Sequence, residues 1–88
     1  MLDKRSGRYL HGPAWAKGFR GATGIFHYDL APDIQVTIHE SDPFWLAVFL
    51  LNGEPVAGES CIVDYEAWVT RTRADEGFLN RLRTLVAP

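Results

Sequence analysis

The amino-acid sequence predicts an α+β fold: a small antiparallel sheet of about four strands, built from two successive hairpins, followed by one or two C-terminal helices packed on one face. Three patterns support this expectation. Apolar and polar residues alternate on both sides of a short polar turn at 31–33, and an Asn-Gly pair follows the apolar run 44–51. After residue 75, apolar residues recur at helical spacing.

The first hairpin is predicted from residues 26–40, FHYDLAPDIQVTIHE. If Leu30 faces Ile34 across the turn, every apolar side chain of both strands lies on one face. This agreement defines the register, because a shift by one residue would turn the whole apolar set to water. The residues expected to point inward are Phe26, Tyr28, Leu30, Ile34, Val36 and Ile38.

The second hairpin begins with residues 44–51, FWLAVFLL, which do not alternate. A strand that is apolar at every position is expected to be buried on both faces. The Asn52-Gly53 pair that follows favours a tight turn, because both residue types tolerate positive φ. The returning strand is expected over about 54–63, where a proline and a glycine indicate an edge or a bulged strand.

The C-terminal third is ambiguous over residues 64–73, where both strand alternation and helical spacing fit. We favour a helix capped by Asp64, whose carboxylate can accept hydrogen bonds from first-turn amides. A second helix is expected from Asp75 to about Val86. Its apolar stripe consists of Phe78, Leu79, Leu82, Leu85 and Val86.

The chain is expected to divide into a flexible basic N-terminal arm, residues 1–24, and a single compact domain, residues 25–88. Glycines and a proline argue against a long helix or strand in the arm. Trp15 and Phe19 are too apolar for a solvated tail, so we expect them to dock on the body. The basic residues of the arm are Lys4, Arg5, Arg8, Lys17 and Arg20.

Charge is distributed unevenly along the chain, although the formal net charge is only −2. Residues 1–20 carry +4 and residues 71–88 carry +2, whereas residues 21–70 hold eight acidic residues and no Lys or Arg. An acidic sheet surface would steer toward a basic partner. Two plainer alternatives are that the acids keep an apolar sheet in solution, or that the arm folds back onto them.

These features favour a non-enzymatic accessory protein, an inhibitor or adaptor, that docks on a larger protein with a basic surface. By analogy with small phage-encoded inhibitors, that partner would handle nucleic acid. The expected docking residues are Asp29, Asp33, Glu40, Asp42, Trp45, Phe49, Glu54 and Glu59. The alternative is a homo-oligomeric structural protein in which strand 44–51 pairs or packs with its copy.

Other classes of function receive less support. His27 and His39 share the polar face of the first hairpin and are weak candidates for metal ligands, because no third ligand follows at a diagnostic spacing. No cofactor is expected, and the acidic body argues against direct nucleic-acid binding. A single cysteine indicates a reducing compartment, hence a cytoplasmic protein. The longest apolar run, eight residues, is too short to span a membrane.

Overall fold

The computed structural model describes residues 2–3, 8–12, 24–41, 44–62 and 64–85. Within these ranges the strands are β1 Leu2–Asp3, β2 Arg8–Tyr9, β3 Gly24–Ala31, β4 Ile34–Ser41, β5 Phe44–Leu51 and β6 Glu54–Ile62. The helices are α1 Tyr65–Ala74 and α2 Glu76–Thr84. The expectations for Lys4, Arg5, Trp15, Lys17, Phe19, Arg20 and Asp42 lie outside the described residues.

The sheet has four antiparallel strands in the order β3-β4-β5-β6, so each strand pairs with its neighbour in sequence. Two hairpins followed by two helices confirm the α+β prediction. Strands β1 and β2 form a separate two-stranded sheet. Neither helix in the described part of the chain is long and apolar enough to cross a membrane.

The register of the first hairpin agrees with the prediction except next to the turn. Phe26 pairs with Ile38 and Tyr28 with Val36, as the alternation indicated. Ala31, however, faces Ile34, so the expected pairing of Leu30 with that residue is wrong. A bulge between residues 29 and 31 takes up Leu30, and an extra residue on one strand bends it locally. Leu30 remains only 4% exposed.

Strand β5 is buried on both faces, as its continuous apolar run predicts. Ala47 and Phe49 point toward the helices and belong to the core cluster. Leu46 and Val48, on the opposite face, are also buried. Because β5 pairs with β4 on one side and with β6 on the other, neither edge is open to a second copy. Strand 44–51 is therefore not placed to pair with its copy through an edge, and its packing against a copy stays a prediction.

The core is centred on Phe49, whose side chain is fully buried. Its ring centroid lies 5.6 Å from that of Trp68 on α1 and 5.4 Å from that of Phe78 on α2. Phe49 was expected to anchor a partner, and this expectation is wrong. The sequence shows which residues of β5 share a face, but it does not show which face the helices cover. In the structure the helices cover the face that holds Phe49.

The helix boundaries follow the capping residues. Asp64 accepts a hydrogen bond from the Ala67 amide at 3.2 Å, which settles the ambiguous segment 64–73 as helix. Asp75 ends α1 and caps α2, accepting from the Phe78 amide at 3.1 Å. The second helix is shorter than predicted, and Leu85 beyond it is 37% exposed.

The turn between β5 and β6 has the geometry that its sequence predicts. Asn52 has a φ of 50° and Gly53 a φ of 84°, so both central residues are left-handed. Strand β6 is the edge strand expected, with irregular pairing to β5 on either side of its centre. Residues 8–12, within the expected arm, lie along its outer side through a bridge between His11 and Gly58.

Truncation of Phe49 tests the position of the core. Phe49→Ala should lower the free energy of unfolding by about 3–5 kcal/mol, because it leaves a cavity between the sheet and both helices. Urea denaturation followed by circular dichroism measures this change. Ile25→Ala is the control at an exposed position: Ile25 is 52% exposed, and truncation to alanine there should change stability by less than about 0.5 kcal/mol. Equal losses in the two variants would contradict the placement of Phe49.

Candidate functional site

Four aromatic side chains converge at one end of the sheet. Strands β3 and β5 both run antiparallel to β4, so their first residues lie at the same end, where α1 also begins. The Trp45 and Tyr65 ring centroids are 4.5 Å apart, and Phe26 lies 5.6 Å from Tyr65 with the ring planes inclined by only 14°. Tyr28 completes the cluster at 6.0 Å from Tyr65.

This cluster is only partly covered. Trp45, Tyr28 and Tyr65 are half-buried, and Phe26 is 38% exposed. Phe26 was expected to point inward, and it does lie on the helix-facing side of the sheet. It lies near the start of the edge strand β3, however, where its ring contacts Tyr65 and Trp45 and keeps part of its surface exposed.

Two carboxylates lie beside the aromatic cluster. Glu40 is exposed and stands opposite Trp45 in the β4–β5 ladder, and Glu66 is exposed in the first turn of α1. A hydrogen bond with Tyr28, followed by burial and the negative charges of Tyr28, Glu66 and Glu40, raises the pKa of Tyr65. We call Phe26, Tyr28, Trp45 and Tyr65 with Glu40 and Glu66 the acidic–aromatic patch.

Two of the acids expected to bind a partner are instead paired within the chain. Asp33 receives two hydrogen bonds from the guanidinium of Arg83, at 2.7 and 2.8 Å. Glu59 receives two from Arg8, both at 2.8 Å. The basic ends of the sequence thus neutralise part of its acidic middle, and the alternative in which the arm folds back on the acids is realised at Arg8.

The remaining predicted acids do not form one surface. Asp29 alternates with Tyr28 on β3, so its side chain lies on the face opposite the patch, and its carbonyl accepts from Arg73 Nε at 2.9 Å. Glu54 is exposed at the start of β6, at the other end of the sheet. Of the expected docking residues that the structure describes, Glu40 and Trp45 come together in the patch.

The two histidines lie on the face opposite the helices. His27 pairs with Thr37 and His39 with Ile25, so the histidines are diagonal neighbours. Burial, and secondarily the charge of His27, lowers the pKa of His39. Among the described residues no group of three His, Cys, Asp or Glu side chains is placed to hold a metal ion. The geometry therefore adds nothing to the histidine metal hypothesis.

A cleft of about 370 Å³ opens between the N-terminal strand, β6 and the helices. It is lined by Arg8, Glu59, Trp68, Arg71, Thr72 and Asp75. The Arg8 guanidinium lies 3.9 Å from the centroid of the Phe78 ring and 5.2 Å from that of Trp68. Trp68 Nε1 donates a hydrogen bond to the same Glu59 carboxylate. The wall of this cleft is therefore an arginine-recognition site occupied by the chain's own Arg8.

Sequence reasoning missed four residues of the patch. Phe26 and Tyr28 were assigned to the core alone, and Tyr65 and Glu66 were not placed at a docking surface. A signal for Tyr65 was present, because a helix capped by Asp64 starts directly after β6 and must place its first residue at the end of the sheet. Comparison of the chain with protein-family models, with curated proteins and with solved structures gave no match.

The Asp33–Arg83 pair predicts a pH dependence of stability. Hydrogen bonding to Arg83 holds the pKa of Asp33 below its ordinary value of 3.8, so the pair stabilises the fold while the carboxylate is charged. Asp33→Asn should be less stable than the wild type near neutral pH. That difference should shrink as the pH falls below about 4 and through the folded-state pKa. Urea unfolding at a series of pH values measures it, and a constant difference would contradict the pair.

His39 predicts a second pH dependence of stability, nearer to neutral pH than that of Asp33. Its pKa lies below the ordinary value of 6.5, so the unfolded chain binds the proton more readily and stability should fall as the pH drops below about 6.5. His39→Gln should flatten this part of the profile. His27→Gln should flatten it less, because the charge of His27 is the smaller cause of the shift. Unchanged slopes in both variants would refute the assignment.

Proposed function

We propose that the chain is a small non-enzymatic accessory protein that docks on the basic surface of a larger protein through the acidic–aromatic patch. The observation that carries the proposal is the convergence of four aromatic rings and two carboxylates at one exposed end of the sheet. Aromatic side chains dominate the energy of protein interfaces because they bury large areas at low conformational cost.

The chemistry of the patch favours a cationic partner. A lysine or arginine side chain gains from aromatic ring faces and from nearby carboxylates at the same time. The negative charge of Glu40 and Glu66 also accelerates the encounter with a basic surface. A partner with a basic surface that itself handles nucleic acid fits this description, and the docked chain would act as an inhibitor or as an adaptor.

The plainer alternative is that the aromatic rings only close the end of the core. In that case Phe26 would contribute to stability and the neighbouring carboxylates would be interchangeable with any other surface acids. The two explanations differ in whether the position of the acids matters. A docking patch requires acids at this end of the sheet, whereas rings that only close the core do not. A charge-reversal experiment at two separate places therefore distinguishes them.

The test is partner capture by the immobilised chain from the native lysate, with washes at low and high salt. The double variant Glu40→Lys, Glu66→Lys should lose at least about tenfold of the captured partner at low salt, because rim charges act on association and are screened by salt. Phe26→Ala should reduce capture to a similar extent, with a small effect on thermal stability because the ring is 38% exposed.

The matched control is Asp29→Lys, Glu54→Lys, which changes the net charge equally but lies away from the patch. This variant should keep the partner that the patch variant loses. Equal loss in both double variants would mean that net charge alone drives capture. Equal retention in both would remove the acidic part of the proposal, and retention by Phe26→Ala would remove the aromatic part.

A further inference from the structure

Residues 8–12 lie along the outer edge of β6, with strand β2 at Arg8–Tyr9 and a single bridge between His11 and Gly58. The His11 amide donates to the Gly58 carbonyl at 2.7 Å, and the Gly58 amide donates to the His11 carbonyl at 3.0 Å. Because side chains alternate along a strand, Arg8 and Leu10 share the side that faces the body. Leu10 is only 4% exposed and belongs to the core cluster, whereas Tyr9 between them is 59% exposed.

The body presents a separate pocket to each of these two side chains. The planar guanidinium of Arg8 forms two parallel hydrogen bonds with Glu59 and lies over the Phe78 ring. This geometry suits arginine and not lysine, since only a guanidinium offers a planar fork of donors. Leu10 enters the apolar core two residues later. The groove therefore recognises an extended segment of the form Arg-X-Leu.

We propose that this groove is a strand-binding site that residues 8–12 of a second copy occupy in exchange for the chain's own segment. The second copy is the occupant whose fit is already established, because its segment is identical to the one in place. Residues 13–23 join the segment to β3, and eleven fully extended residues span about 36–40 Å. That reach exceeds the longest dimension of the molecule, 33 Å.

Concentration governs the exchange. A segment tethered by a short connector competes for its own site at an effective concentration of order 1 mM. The unaltered chain therefore exchanges segments only near about 1 mM, and it binds its own segment at lower concentration. Weakening the intramolecular contact without weakening an intermolecular one should bring the exchanged dimer into an accessible range.

Two complementary variants of the full chain achieve this. Arg8→Ala keeps the groove and loses the arginine, while Glu59→Ala keeps the arginine and loses its carboxylate. In a 1:1 mixture, Arg8 of the second variant can meet Glu59 of the first, a contact that neither variant makes alone. We expect heterodimer at about a tenfold lower concentration than wild-type dimer, because a charged hydrogen-bonded pair is restored only between chains. Native mass spectrometry separates the heterodimer from both homodimers by mass.

The second ion pair of the fold supplies a matched control. Arg83 contacts Asp33 through the same two nitrogen atoms and at similar distances, but both residues belong to the sheet-and-helix body. A mixture of Asp33→Ala and Arg83→Ala should give no excess of heterodimer. If an alanine variant is unfolded by circular dichroism, Arg8→Lys and Glu59→Gln replace the first pair of variants.

The results decide the proposal in either direction. Heterodimer in the Arg8/Glu59 mixture and not in the control mixture would establish exchange. A monomeric Arg8/Glu59 mixture would overturn it, and so would equal heterodimer in both mixtures, which would place the contact elsewhere. None of these variants alters a residue of the acidic–aromatic patch, so the outcome is independent of the proposed docking function.

Discussion

The packing of Phe49 against Trp68 and Phe78 is the contact on which the other features of the structure depend. It joins the centre of the sheet to both helices in the middle of the core cluster. Once this ring is covered, α1 must start at the end of the sheet where β6 finishes. That start places Tyr65 against Phe26 and Trp45. The aromatic part of the patch is thus a geometric consequence of how the core closes.

The local structure could be predicted because it depends on local signals. Alternation set the register of Phe26 and Tyr28, the Asn52-Gly53 pair set the second turn, and Asp64 set the start of α1. The bulge that takes up Leu30 was not predictable in this way, since it depends on fitting a two-residue turn to a strand whose register is already fixed by its pattern. The choice of face on β5 depends on where the helices pack, which alternation does not encode.

The distribution of charge could be read from the sequence, but its arrangement in space could not. The eight acids of residues 21–70 suggested one continuous surface, and the fold separates those that the structure describes. Asp33 and Glu59 are taken by arginines some fifty residues away in the chain, contacts that no spacing in the sequence predicts. Near the aromatic rings the fold places a smaller acidic group, in which Glu66 joins Glu40.

The arginine site at Glu59 can be compared with the acidic–aromatic patch. At Arg8, aromatic rings and a carboxylate hold a guanidinium in a partly buried position, with side-chain exposures of 17% for Arg8 and 12% for Glu59. The acidic–aromatic patch offers the same combination of groups in a more exposed setting. Burial protects the first contact from screening by water and salt. The more exposed patch lacks that protection. In the proposed docking, binding would therefore draw on the area of the aromatic rings, and the carboxylates would select a basic surface and speed the encounter with it.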